Sequence, residues 1–361
     1  MVSHMSISTR NLRLAALCAV TLVGACDEVE TLAMDDAGEQ VAKRGLVGND
    51  LLLNSAGLNG WSLNGFRTNG WSLNGWSLNG WSLNGWSLNS VSLTGSAFTG
   101  VATIDGAPVV LAPEDMIGTE LALTRDGEPF TLRFDDIYIN PANPGGDVYF
   151  YAVSVLDPED GTWSSLCRDS HGEATEAIAL RNHWDPVTGA RIDDAAAVTL
   201  ACRGAALAKC VEWGYRPWVT VQSCVDGVCS QVDLTDHHQA CTRMARADYC
   251  GDGAPHTLNN TPIDVYDRLM PRIQTQESSG KDWKVEAEWG PHGALCLGKD
   301  LRVDMFAALG ITHTAPACRA ALKAIKDCGE FIGGRATTGK LANRYCPKWQ
   351  SHPNKCLLDW P

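Results

Sequence analysis

The chain has 361 residues, with 29 basic and 42 acidic side chains and a formal net charge of −13. That balance opposes a nucleic-acid partner, which needs a basic face to meet phosphates. Hydrophobic residues make up 45% of a chain this long, enough for a sizeable buried core.

Residues 6–26 read as an export signal. Arg10 and Arg13 supply the positive start, and Leu14–Val23 supplies an apolar run too short to span a bilayer, which takes about 20 residues. The run ends in Val23-Gly24-Ala25-Cys26. Small residues before a cysteine in this position resemble a bacterial lipobox. The resemblance implies a lipid on Cys26, which becomes the mature N-terminus, and an exported protein held at the cell envelope. An ordinary signal peptide with an incidental cysteine is the competing reading. Removing the signal strips Arg10 and Arg13 but no acid, so the mature chain is more acidic still. Residues 27–52 follow as an acidic tether, with Asp27, Glu28, Glu30, Asp35, Asp36 and Glu39. Low hydrophobicity and net charge favour disorder in such a segment.

Residues 53–100 repeat the phrase Leu-Asn-Gly-Trp-Ser. Leu recurs at 53, 58, 63, 73, 78, 83, 88 and 93, Trp at 61, 71, 76, 81 and 86, and Arg67 is the only charge. A period of five fits neither a strand face nor a helix face. It suits a coil with square turns and resembles the pentapeptide-repeat family, in which Leu or Phe points inward every fifth residue. The Leu slot matches. The slot two before it carries Trp where that family has small residues, and five indoles do not fit a narrow coil. Successive Asn-Gly turns, a flexible tract and a substrate for modification remain alternatives. Exposed, nearly uncharged aromatics point to a partner, so Trp61, Trp71, Trp76, Trp81 and Trp86 are the candidate binding residues, with an envelope protein or glycan as the expected partner.

Residues 101–166 read as an antiparallel β module. The signals are apolar alternation in Leu121–Thr124 and Thr131–Phe134 around a turn at 125–128, and then the β-favouring run Asp147–Val155. Residues 167–361 read as a cysteine-rich α+β domain. Helices are expected at Asp236–Tyr249 and Pro316–Cys328, the latter stopped by Gly329, and strands at Ala197–Cys202 and Trp283–Trp289. The expected fold class is α+β: a period-five repeat, a β-rich module and a disulfide-stapled α+β domain.

Of fourteen cysteines, all but Cys18 and Cys26 fall in that last domain: Cys167, Cys202, Cys210, Cys224, Cys229, Cys241, Cys250, Cys296, Cys318, Cys328, Cys346 and Cys356. An even set in an exported chain argues for disulfides. No pair has C-x-x-C spacing, so no zinc site is expected. Cys224-Val-Asp-Gly-Val-Cys229 places Asp-Gly between short β-favouring flanks, a hairpin signal that sets the two cysteines opposite each other.

The segment Ala240–Gly253 contains Ala247-Asp248-Tyr249-Cys250. Its companions are Gly214-Tyr215-Arg216-Pro217-Trp218, Ile263–Asp267 and Glu286–Cys296, which carries Trp289, Pro291 and Ala294. These motifs, in this order over roughly residues 98–300, resemble the bacterial ADYC-domain family. The resemblance implies export and assigns no reaction.

Few residues suggest chemistry. His237 and His238 beside Asp236 could do acid–base work, against the competing reading of solvated surface histidines. Glu286 and Glu288 alternate about Ala287 and so share one strand face, which suits two-carboxylate glycoside chemistry, against ordinary paired charges on an exposed face. Asp248, Asp252 and Gly253 hint at calcium without the spacing of an EF-hand loop. No nucleophile elbow, His-Glu-x-x-His or phosphate-binding loop is present. No cofactor is expected. The leading reading is therefore a lipid-anchored interaction or structural protein of the cell surface, and the alternative is an envelope hydrolase using His237 or His238 with a nearby carboxylate.

Overall fold

The computed structural model describes residues 52–53, 63–67, 77–78, 81–82, 87–104, 107–125, 128–140, 142, 146–169, 172–194, 197–225, 228–257, 261–274, 282–302, 316–329 and 339–348. Strands dominate. Along the chain they are β1 (Leu52–Leu53), β2 (Leu63–Arg67), β3 (Ser77–Leu78), β4 (Trp81–Ser82), β5 (Ser87–Thr94), β6 (Ala97–Ile104), β7 (Ala107–Leu111), β8 (Glu120–Arg125), β9 (Glu128–Ile139), β10 (Tyr149–Leu156), β11 (Trp163–Ser165), β12 (Ala177–Arg181), β13 (His183–Trp184), β14 (Arg191–Ile192) and β15 (Ala197–Cys202). Helix α1 (Ala206–Glu212) follows, then β16 (Thr220–Val225), β17 (Val228–Asp233) and α2 (Thr235–Arg246). The remainder is β18 (Pro262–Asp267), β19 (Leu269–Met270), β20 (Lys284–Gly290), β21 (Gly293–Leu297), α3 (Pro316–Ala324) and β22 (Leu341–Tyr345).

Two sheets carry the architecture. The seven-stranded sheet runs β2-β15-β12-β10-β9-β8, with β11 paired to β10, and the five-stranded sheet runs β1-β18-β22-β20-β21. The first buries a different core on each face, as alternating strands must when both faces are covered. One face holds Phe98, Met116, Leu132, Phe134, Tyr151, Ala177 and Leu200. The other holds Phe150, Ile178, Leu180, Trp184 and Ala201 against Leu207, Ala208 and Val211 of α1. The second sheet packs α2 over Ile263, Val265, Ala287, Trp289 and Leu341 through Ala240, Cys241, Met244 and Ala245. Gln239 ties the two together: it accepts from Trp184 Nε1 at 2.8 Å and donates to the Gly189 carbonyl at 2.9 Å.

The expected strand Ala197–Cys202 is β15 to the residue, and the expected hairpin around 125–128 is β8/β9. Helix α2 begins at Thr235 and stops at Arg246, three residues short of the expected Tyr249, because Ala247 turns left-handed (φ 52°). Helix α3 stops at Ala324 rather than Cys328. The seven-stranded sheet does not end at residue 166, because β12 and β15 join β9 and β10 in it. Stretches of the repeat are strands in four sheets. β1 and β2 pair with β18 and β15, β3 with β4, and β5 with β6, all antiparallel.

Five disulfides are formed with both cysteines among the described residues: Cys167–Cys202, Cys210–Cys241, Cys224–Cys229, Cys250–Cys318 and Cys296–Cys328. Cys224 and Cys229 are directly opposed in the β16/β17 hairpin, as their spacing predicts. Cys346 is also disulfide-bonded. Cys26 and Cys356 lie outside the described residues.

Candidate functional site

Two of the sequence motifs, Ala240–Gly253 and Glu286–Cys296, converge at the C-terminal end of α2. Helix α2 is closed by Ala247 in the left-handed conformation, a position that glycine usually fills because a Cβ costs about 1 kcal/mol there. The Asp248 N–H reaches back to the Arg243 carbonyl at 2.9 Å and completes the cap. The chain then turns inward, so Asp248 and Tyr249 enter the core in succession.

Asp248 has no exposed surface. Its carboxylate accepts from Arg243 at 2.5 Å and from the backbone N–H groups of Asp252 and Gly253 at 3.1 and 3.0 Å. Burial pushes this carboxyl up from its ordinary value, and the Arg243 guanidinium pulls against that. Arg243 also donates to the carbonyls of Thr188 and Pro291. The pair thus pins α2 to the 185–190 loop and to the turn before β21. Its carboxylate oxygens are taken by these donors, which removes Asp248 from the calcium reading.

Tyr249 stacks on Trp289 with ring centroids 5.2 Å apart. Its hydroxyl donates to Glu286 at 2.5 Å and accepts from the Arg302 N–H at 2.9 Å. Burial, and then the Glu286 charge, push the phenol well above its ordinary value. Glu286 also accepts from Arg302 Nε at 2.7 Å and from Asn343 Nδ2 at 2.5 Å. Asn343 in turn accepts from Trp289 Nε1 at 2.8 Å. The Arg302 guanidinium donates further to Thr257 and to the Met244 and Ala245 carbonyls in the last turn of α2. Burial disfavours its charge, but Glu286 outweighs that and the group is held above its ordinary range.

Backbone contact closes the cluster. The Ala294 N–H donates to the Tyr249 carbonyl at 2.8 Å. A Cβ on Gly293 would stand 2.5 Å from that carbonyl oxygen, and one on Gly251 would stand 2.1 Å from the His292 oxygen. Both glycines have positive φ, so their identity is required twice over, by conformation and by space. The two remaining motifs meet each other: the Tyr215 hydroxyl donates to Asp267 at 3.0 Å, and Asp267 also receives the N–H groups of Leu269, Ile273 and Gln274. Arg216 and Trp218 both donate to Asp147.

These motifs carry the signature of the ADYC domain, which matches residues 113–303. The chain belongs to the ADYC-domain family. The match spans just over half the chain and ends one residue past Arg302. No curated protein matches the chain. No solved structure matches it.

The candidate chemistry of the sequence is placed differently from its expectation. His237 and His238 are not solvated: they are 3% and 0% exposed. Asp236 in the same turn is exposed, but His237 and His238 face the interior. His238 shares a 3.0 Å hydrogen bond between Nε2 and the Leu207 carbonyl, and its ring meets Trp184 edge-on. Burial lowers both imidazoles to about 4. Glu286 and Glu288 are likewise fully buried rather than on an exposed face. Their shared face is broken by a bulge, since Val285 faces Arg344 while Ala287 faces Asn343 and leaves Glu286 as the extra residue. A bulge re-aims a side chain, here toward Tyr249 and Arg302. Glu288 accepts from the Gly339 N–H at 3.0 Å. Neither histidine is a partner of Glu286.

Cys250, Asp252 and Cys318 come together closely enough for a metal, but the two sulfurs are bonded to each other and offer no thiolate. Of the repeat positions, Trp81 opens β4 opposite Leu78. Trp61, Trp71, Trp76 and Trp86 lie outside the described residues. The sequence reading missed Arg302, Arg243 and Asn343. No local signal singles out Arg302, which lies among Lys299, Asp300 and Asp304 in the sequence.

Proposed function

We propose that this ADYC protein is exported, anchored to the bacterial cell envelope by a lipid on Cys26, and works by interaction rather than catalysis. We read it as an α+β protein in which the period-five repeat precedes a β-rich module and a disulfide-stapled α+β domain. One observation carries the reading: the family's polar side chains are spent on one another. Asp248, Tyr249, Glu286 and Arg302 are at most 1% exposed. Catalytic groups have to reach a substrate in a cleft, whereas these satisfy each other and the end of a helix. The disulfides support an oxidising compartment outside the cytoplasm. The hydrolase alternative draws less support, since His237 and His238 are covered and held neutral.

On this reading the cysteine-rich domain is a rigid head, and the repeat supplies the contact surface through its Trp residues, with a protein or glycan of the envelope as the partner. Cys26→Ala tests the anchor. It should move the protein from the membrane to the soluble fraction, and unchanged fractionation would sink the lipid reading. Replacing Trp71, Trp76, Trp81 and Trp86 by Ser should weaken retention on isolated envelopes from which the lipid contribution has been removed by the same Cys26 change.

A further inference from the structure

The β16/β17 hairpin carries the one disulfide of the five in which neither cysteine is buried. Cys167, Cys202, Cys210, Cys241, Cys296 and Cys318 are buried, so each of the other four pairs has at least one covered half. Cys224 is half-buried and Cys229 is exposed. Their bond closes a sequence separation of only 5, the smallest of the set, where a cross-link constrains the unfolded chain least. The hairpin has other means of keeping its register. Six residue pairs run from Thr220 opposite Asp233 to Val225 opposite Val228, and β19 pairs with the other side of β16. Val221, Val232 and Leu269 hold the inner face on the core. A thiolate must reach a sulfur to exchange with it, so an exposed disulfide is labile where a covered one is inert.

The same ladder fixes how Cys229 presents its backbone. The Leu234 N–H bonds the Val219 carbonyl, and antiparallel bonds alternate from there. Val232 and Ser230 therefore bond to β16, whereas Cys229 and Gln231 turn their N–H and C=O groups to the other side. β17 is the terminal strand of its sheet, with β16 its one partner among the described residues, and five of its six residues are exposed. On the outer face Cys229 and Gln231 stand beside Cys224, Gln222 and Met270, which is 51% exposed. Asp226 in the turn is the only charged residue between Thr220 and Val232. An extended segment laid along this edge would meet two backbone donors and two acceptors. Its residue opposite Cys229 would sit about 5.5 Å away between Cα atoms, near enough for sulfur to meet sulfur.

We propose that Cys224–Cys229 is a thiol–disulfide exchange site, and that its reaction partner is a dithiol-bearing protein segment that adds to the open edge of β17 as an extended strand. A thiolate of the partner attacks Cys229 Sγ, the more exposed sulfur. The Cys224–Cys229 bond breaks as the mixed disulfide forms, and Cys224 leaves as a thiolate that takes up a proton. The partner's second thiolate then attacks the partner sulfur of the mixed disulfide. Cys229 leaves as a thiolate and is protonated in turn, and the partner is left with a disulfide. Two electrons thus pass from the partner's dithiol to the hairpin. The site belongs to the hairpin and not to the repeat, so it goes beyond the interaction reading.

The test uses the purified full-length chain in detergent, with its disulfides intact. The probe is a short peptide rich in valine and threonine that carries one cysteine, which stops the reaction at the mixed disulfide. Mass mapping should find the peptide on Cys229, Cys224 open to alkylation, and the other pairs unreacted. The peptide should react about tenfold faster than free cysteine, because docking along the edge raises the local thiol concentration. Gln231→Pro removes an N–H that faces the open side and leaves the bonds to β16 in place. It should abolish the peptide's advantage without changing the rate with free cysteine. Should that variant fail to fold, the same peptide with N-methylated amides is used on the parent, and it should react no faster than free cysteine. A peptide found first on Cys224 or on any other pair overturns the exchange site. Equal rates for peptide and free cysteine, or an advantage that survives Gln231→Pro or N-methylation, overturn the docked partner. Neither failure touches the outcome of Cys26→Ala or of the Trp→Ser changes, so this proposal and the interaction reading fall separately.

Discussion

Arg302→Met tests whether the ADYC cluster is architecture. Arg302 has no exposed side chain and pairs with Glu286, itself fully buried. Methionine keeps the aliphatic bulk but removes the donors to Glu286, Thr257, Met244 and Ala245. Breaking a buried pair by deleting one partner costs about 3–5 kcal/mol, because the remaining charge is left uncompensated. Tyr249 and Asn343 still donate to Glu286, which places the expected cost toward the lower end of that range. For a unit of this size a loss of 1 kcal/mol lowers Tm by roughly 2–4 °C, so a drop on the order of 10 °C is expected. Urea unfolding with disulfides intact, followed by far-UV circular dichroism, measures it. Glu286→Leu should be costly for the converse reason. The double variant should cost less than the sum of the two by about 1–3 kcal/mol, since it removes both charges at once. A loss below about 1 kcal/mol for Arg302→Met, or strict additivity in the double variant, would refute the structural account and return Glu286 to the list of available carboxylates.

Two further outcomes follow from the same geometry. His237 and His238 are held near about 4, whereas an unfolded histidine titrates near 6.5. Between those values the unfolded chain binds more protons, so stability is complete above about pH 6.5 and falls as pH drops toward 4, by up to about 3 kcal/mol per histidine. His238→Phe should flatten that slope relative to the parent in urea titrations at pH 7 and 4.5, and equal slopes would argue against a buried neutral imidazole. Among the disulfides, Cys250–Cys318 closes a separation of 68 residues and Cys224–Cys229 one of 5. Loop entropy predicts that replacing the first pair by Ser costs about 4 kcal/mol and the second about 2. A hairpin pair that proves the costlier of the two would contradict the chain-entropy account.

Local signals carried the sequence reading as far as local physics reaches. The Cys224–Cys229 hairpin, strand Ala197–Cys202 and the body of α2 were legible because turn chemistry, alternation and helix periodicity act over a few residues. The order of the family motifs was legible too, since they are short and contiguous. Burial of His237, His238, Glu286 and Glu288 was not, because each belongs to a residue type that is usually exposed, and only packing from distant elements covers them. Glu286 meets Tyr249, Arg302 and Asn343 across separations of 37, 16 and 57 residues. The bulge that aims it arises from pairing with β22, which no pattern within β20 announces. Disulfide partners beyond the hairpin, and the placement of repeat strands at two sheet edges, likewise depended on which surfaces the whole chain brings together. Composition and short-range pattern determined that the chain is a disulfide-stapled member of its family. The tertiary structure decided that its polar signature is core, because a buried charge is tolerable only where the fold supplies its partner.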